Sequence, residues 1–219
     1  NKSVEREIKI NGIDKFCINK KIIEENPFIF NVDLGDTNRY NQKNSLRCWA
    51  FSGINVIERN MAVNMDMDVD KFKLSDDYVS FFHRLEKANT VYEKIITSKT
   101  TDLNKIINKG ILATPVEETG NWLNFIGIVR KYGLVPLEVM PTSFEGRNSN
   151  KVTGLFTEIV RNNCLSILGL KEQKVGLEKL RQKKVEFLEE HYAFLSKIYG
   201  EPVCNFDYEY LNRSGQNGF

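Results

Sequence analysis

The sequence predicts a chain built mainly of helices with little regular strand, and three stretches carry that prediction. From Cys48 onward Ala50, Ile54, Ile57 and Met61 recur at helical spacing, so Cys48 falls in the first turn of a helix, with Asn44 or Ser45 placed to cap it. Ser75 stands before Asp76 and Asp77 as an N-cap followed by first-turn acids, and Tyr78, Phe81, Phe82, Leu85, Ala88 and Tyr92 then form one apolar stripe. From about Glu172 to Tyr199, Leu177, Leu180, Phe187, Leu188, Tyr192, Leu195 and Tyr199 lie at helical spacing beneath a charged outer face.

Two more helices complete the pattern. One runs from about Gly120 through Trp122, Phe125, Ile126 and Val129 to Tyr132, where Gly133 stops it and Pro136 follows. The other spans about Thr153 to Leu168. Residues 1 to 40 alternate charged and apolar positions weakly and carry turn signals at Asn11-Gly12, Asn26-Pro27 and Gly35-Asp36, which predicts short strands or extended segments wrapping a neighbouring body.

Composition narrows the function. Lys and Arg number 31 against 29 Asp and Glu, and a net charge of +2 gives no bulk electrostatic reason to bind nucleic acid or an acidic membrane surface. No apolar run reaches the roughly 18 residues of a spanning helix, and Asn1 to Arg6 are not followed by the apolar stretch of a signal peptide, so a cytoplasmic protein is expected. Cys17, Cys48, Cys164 and Cys204 form no Cys-x-x-Cys pair and read as free thiols, without a zinc site or disulfide framework. Asp76-Asp77 and Glu117-Glu118 read as carboxylate pairs at helix starts, with no third ligand, so neither metal nor cofactor is expected. The basic run Lys179, Arg181, Lys183 and Lys184 is interleaved with glutamates, as on a solvated helix face.

The stretch Asn41-Gln42-Lys43-Asn44-Ser45-Leu46-Arg47-Cys48-Trp49-Ala50-Phe51-Ser52 carries the chemistry. A polar loop rich in amide donors feeds a cysteine at the start of a helix, where the dipole and unpaired N–H groups favour thiolate. Acyl transfer also needs donors aimed at the developing oxyanion; the Cys48 amide and the Gln42 side chain can supply two. The bland alternative is a small buried hydrophobe at a helix start.

The flanking residues decide between these. Asn-Gln-Lys, Ser-x-Arg-Cys-Trp and the following Phe51 resemble the active-site cysteine signature of papain-like peptidases, and more closely that of bleomycin hydrolase and the aminopeptidase C group. Leu74-Ser75 with Tyr78, Phe81-Phe82, Leu85 to Asn89, Thr114-Pro115-Val116, Gly120-Asn121-Trp122, Lys131 to Pro136, and Pro202 with Phe206 to Tyr210 extend the resemblance over most of residues 30 to 211. That is roughly the first half of a typical family member. The implied fold is α+β and papain-like, with this chain mainly α and the barrel half absent. Residues 1–40 would be an extended amino-terminal segment. Residues 41–140 would be the papain-like helical domain with the nucleophile helix, and 141–219 a helical insertion and the start of a linker to the barrel.

The resemblance implies Cys48 as nucleophile and Gln42 as oxyanion donor. Thr119-Gly120 stand where the family usually has a Gly-Gly pair whose backbone pairs with extended substrate, so one permissive position is lost. Ser45-Leu46-Arg47-Cys48 stand for the usual Ser-Gly-Arg-Cys, which puts a bulky side chain in a loop that approaches substrate. A thiol peptidase also needs a base, and the chain has only His83 and His191. His191 has a papain-like separation from Cys48 but lies in the charged helical run Glu189 to Leu195, with no Asn-Ser-Trp after it, and His83 sits beside Phe82 as a structural residue. The base is therefore expected on a missing carboxyl-terminal half that carries His and Asn.

The expected function is a cysteine-type aminopeptidase that releases residues from the amino end of peptides through a Cys48 acyl-enzyme. This chain would carry the nucleophile half of a cytoplasmic homo-hexamer. The alternative, slightly favoured by Leu46 and Thr119, is a catalytically inactive family-derived interaction or assembly module.

Overall fold

The computed structural model describes residues 2–27, 29–31, 40–108 and 110–218, and the turn expected at Gly35-Asp36 lies outside them. Two units divide the chain, Asn1–Asp36 and Thr37–Phe219. In the first, α1 (Lys2–Cys17) consists of two helical stretches joined at Gly12, whose φ of 78° breaks the ladder, and α2 (Lys20–Glu25) is capped by Asn19. The Asn19 side chain accepts from the Lys21 and Ile22 amides at 3.1 and 3.4 Å.

Over these two helices the expectation of extended structure is corrected. The alternation there is weak, whereas local contacts such as Asn11 Nδ2 to Glu7 Oε1 at 2.8 Å follow the i, i+4 spacing of a helix. The Asn11-Gly12 signal marks a kink within α1 instead of a turn between strands. Neither helix buries a residue, and Ile10, Ile13, Ile22 and Ile23 are exposed.

The second unit contains α3 (Cys48–Asn64), α4 (Asp76–Thr97), α5 (Leu103–Asn108), α6 (Trp122–Tyr132), α7 (Phe144–Arg147), α8 (Asn150–Glu172) and α9 (Leu177–Tyr199). A short antiparallel hairpin follows, β1 (Tyr210–Leu211) with β2 (Asn217–Gly218), pairing Tyr210 with Gly218 and Leu211 with Asn217. The mainly helical reading holds. The central element is α4, against which α3, α6, α8 and α9 all pack. Its buried Val79, Phe81, Ala88, Tyr92 and Ile95 share one core with Phe156, Val160 and Ile167 of α8 and Leu180 and Leu195 of α9.

Several boundaries follow the capping signals. Ser75 Oγ accepts the Tyr78 amide at 3.1 Å, which starts α4 where the sequence placed it. Asn121 and Asn124 cap each other's amides at 3.0 Å, and Gly133, at φ 77°, ends α6. Others shift: α8 is longer at both ends than expected, and α9 begins only at Leu177, after a turn with Lys174 at φ 59°. Neither Asn44 nor Ser45 caps α3; the N-cap is Arg47, which makes no side-chain cap bond. Along α3, Ala50 and Ile54 are buried, but Met61 is 38% exposed. Gly53 lets α6 approach closely, because a Cβ there would lie 2.4 Å from the Phe125 ring. Among the described residues no helix is long and apolar enough to cross a membrane.

Candidate active site

The loop before Cys48 is folded on itself and tied to a distant segment. Ser45 donates through its amide (3.2 Å) and hydroxyl (2.7 Å) to the Gln42 carbonyl, and Asn41 Oδ1 accepts the Lys43 amide at 2.8 Å. Asn44 donates to the Arg147 carbonyl at 3.0 Å and accepts from the Ser149 amide at 3.3 Å. These bonds leave Arg47 pointing inward, with no exposed surface.

Arg47 is the hub of a buried ionic cluster. Its Nη1 donates to Asp76 at 2.7 Å and also to Asp77, its Nε donates to Glu118 at 2.5 Å, and the Tyr199 ring lies 5.4 Å from the guanidinium. Arg84 Nη2 adds a second cation 3.2 Å from Glu118. Glu118 also accepts from Ser80 Oγ at 3.1 Å, from the Leu46 amide at 3.4 Å and from the Ser149 hydroxyl. Burial opposes its charge, but Arg47, Arg84 and the Ser149 hydroxyl outweigh burial and hold the carboxyl at about 2.

This corrects the reading of the carboxylate pairs. Glu118 lies outside any helix, and the Asp76 and Asp77 side chains, although in the first turn of α4, turn into the protein. A Cβ at Gly146 would fall 2.2 Å from the Asp77 carboxylate, so α7 can sit there only with glycine at that position. The available signal was Arg47 itself, a charged side chain next to Cys48 and Trp49 with several unassigned acids elsewhere in the chain.

Cys48 opens α3 and is exposed. The Ala50 and Phe51 amides both bond to the Arg47 carbonyl, at 2.9 and 3.0 Å, so the Cys48 amide precedes the helical ladder, where N–H groups lack helical acceptors. The neighbouring Trp49 is buried. Its indole N–H donates to the Glu118 carbonyl at 3.0 Å, and its ring covers Gly120, where a Cβ would lie 2.6 Å from Cε2. Lys87 Nζ donates to the Thr119 carbonyl at 2.6 Å and also to the Glu117 carbonyl. Residues 117–120 are thereby held against the first turn of α3, with Thr119 exposed.

Gln42 is half-buried and lines a cavity of about 280 Å³ with Tyr40, Phe51, Asp76, Thr142 and Arg147; Cys48 is not part of that lining. Phe51, which shares that lining, lies one turn after Cys48 on α3. Gln42 Oε1 is buried without a hydrogen-bond partner.

Neither histidine is an exposed base. His83 is buried with its ring 4.4 Å from that of Trp49; burial, then Lys87 and Arg84, push it down to about 3. His191 is buried on α9 with Nε2 2.5 Å from the Tyr92 hydroxyl, and burial lowers it to about 4. Trp122, at the start of α6, is 54% exposed, whereas Phe125 is buried.

The model of the Peptidase C1-like family matches residues 1–217. The chain is 28% identical over 211 residues to aminopeptidase C of Streptococcus thermophilus, covering 96% of this chain and 47% of that protein. It is 31% identical over 212 residues to aminopeptidase G of Lactobacillus delbrueckii subsp. lactis, with the same coverage of 96% and 47%. A crystal structure of PepW from Lactobacillus rhamnosis HN001 superposes with a TM-score of 0.80 at 27% identity, over 99% of this chain and 48% of that one. The chain spans about half the length of the curated relatives it matches. It belongs to the Peptidase C1-like family, among the papain-like cysteine peptidases that include the aminopeptidases C.

Proposed function

We propose that this chain is the nucleophile-bearing half of a cysteine aminopeptidase. The observation that carries the proposal is that the residues on either side of Cys48 both hold Glu118: Arg47 through its guanidinium and Trp49 through its indole. The segment Glu118 to Gly120 is thus tied to the first turn of α3, which opens with the exposed Cys48, and this supports the reading. In the proposed reaction a peptide lies extended along Thr119-Gly120, and the Cys48 thiolate attacks the carbonyl carbon of its first residue. The Cys48 N–H and the Gln42 side-chain amide receive the oxyanion. Collapse expels the amine, which takes a proton from an imidazolium, and leaves a thioester that water hydrolyses.

The imidazole and its orienting Asn are proposed to come from a barrel half outside these 219 residues, because His83 and His191 are enclosed in the helical core. The proposal extends to a cytoplasmic homo-hexamer acting on peptides. Exposed Trp122, Leu123 and Phe144 support a further covering surface on this unit.

Leucyl-p-nitroanilide hydrolysis tests the reading. The chain combined with a recombinant barrel half bearing His and Asn is expected to turn over this substrate but not its N-acetylated form, and Cys48→Ala to abolish turnover. Turnover that survives Cys48→Ala would overturn it.

A further inference from the structure

We propose that Glu118 is a positioning residue that sets the distance between the Cys48 thiol and the substrate-pairing backbone at Thr119 and Gly120; this rests on the reading of Cys48 as the nucleophile. A glutamate that served only to neutralise Arg47 would need one contact, the Arg47 Nε bond at 2.5 Å. Glu118 instead collects the chain on both sides of Cys48. Its carboxylate takes the Leu46 amide at 3.4 Å as well as Arg47, and its backbone carbonyl takes the Trp49 indole at 3.0 Å. Gly120, two residues on, lies under the Trp49 ring. Leu46, Arg47 and Trp49 thus end on one buried residue that directly precedes the substrate segment.

Attack requires thiol and carbonyl within about 3–3.5 Å, and displacements near 1 Å cost up to about a hundredfold in rate. The thiol rides on α3 and the substrate on Thr119-Gly120, so Glu118 is the joint through which an error in one is transmitted to the other. Only a carboxylate suits the position: a glutamine would turn its NH2 toward donors, so the bonds to Arg47 and Leu46 could not both survive.

The experiment uses the 219-residue chain and the variants Glu118→Gln and Trp49→Phe. Cys48 is alkylated with iodoacetamide, which needs no substrate segment, and with leucyl chloromethyl ketone, which uses it. Amide hydrogen exchange is followed over residues 46–51 and 117–121. For Glu118→Gln the iodoacetamide rate is expected to stay within about twofold while reaction with the chloromethyl ketone slows about tenfold or more. Exchange should rise in both segments together, with protection of α9 retained. Trp49→Phe loses the indole bond and part of the ring over Gly120 while leaving the Glu118 carboxylate in place, so it should show a loss of the same kind, and it decides the matter if Glu118→Gln unfolds. Equal slowing of both reagents, or no slowing of either, overturns the positioning role. If the chain combined with the barrel half shows no preference for the chloromethyl ketone, the peptidase reading has failed. Exchange then decides the joint: coupled loosening supports it, and loosening of one segment alone overturns it.

Discussion

Arg47 Nε meets Glu118 Oε1 at 2.5 Å in a place closed to solvent, although 71 residues separate them in the chain. Two ions out of water gain little net stability over an apolar pair, but removing one partner leaves the other charge buried and unmatched. Here the unmatched remainder would be three carboxylates, Asp76, Asp77 and Glu118, with Arg84 still 3.2 Å from Glu118.

Arg47→Met should therefore destabilise the chain by about 3–5 kcal/mol, read as a lower urea midpoint. Arg47→Lys should recover only part of this, since an ammonium cannot reproduce the guanidinium fork that reaches Glu118 and the two aspartates. A loss below about 1 kcal/mol in Arg47→Met would contradict the assigned cluster.

Acid should dissolve part of this advantage. Glu118 is held at about 2 in the folded chain, below its ordinary value of 4.5, so its stabilising contribution is full above 4.5 and is lost as pH falls through about 2. The stability difference between the unaltered chain and Glu118→Gln should shrink as pH drops through that window. Contributions from groups outside the Arg47 cluster are common to both proteins. A difference that stays constant would contradict the depressed value.

The two imidazoles should give flat NMR titrations between about pH 5 and 8, because His83 is held at about 3 and His191 at about 4. Both values lie below the ordinary 6.5, so the unfolded chain takes protons that the folded chain refuses, and stability erodes as pH falls below 6.5. Either ring titrating near 6.5 would show a histidine open to solvent and available as a base.

Gly120→Ala places a methyl 2.6 Å from the Trp49 ring. Overpacking of this kind should cost about 1–3 kcal/mol and shift the tryptophan emission, since Trp49 and Trp122 are the only indoles. Unchanged emission and stability would mean that the indole does not cover Gly120.

What the sequence disclosed was local. Ser75, Asn121 and Gly133 act within one turn of themselves, so their capping chemistry was legible from neighbouring residues. The Cys48 loop was legible as a run of residue types. Arg47 with Asp76, Asp77 and Glu118 was not, because its contacts span 29 to 71 residues and acids beside a helix start look the same whether they face solvent or an inward guanidinium. The amino-terminal helices were missed for a different reason. They bury nothing, so no apolar stripe of helical period marks them.

The central claim is that Cys48 is the reactive thiol of a peptide-binding cleft, and Cys17 and Cys204, also exposed, supply internal controls, with Cys164 buried. The most direct measurement is peptide-resolved mass spectrometry after treatment of the chain with leucyl chloromethyl ketone. Cys48 should be modified first and saturably, with protection by a leucine-containing dipeptide, while Cys17 and Cys204 react slowly and in proportion to reagent. Modification of Cys17, Cys48 and Cys204 at equal rates, unaffected by the dipeptide, would contradict the account.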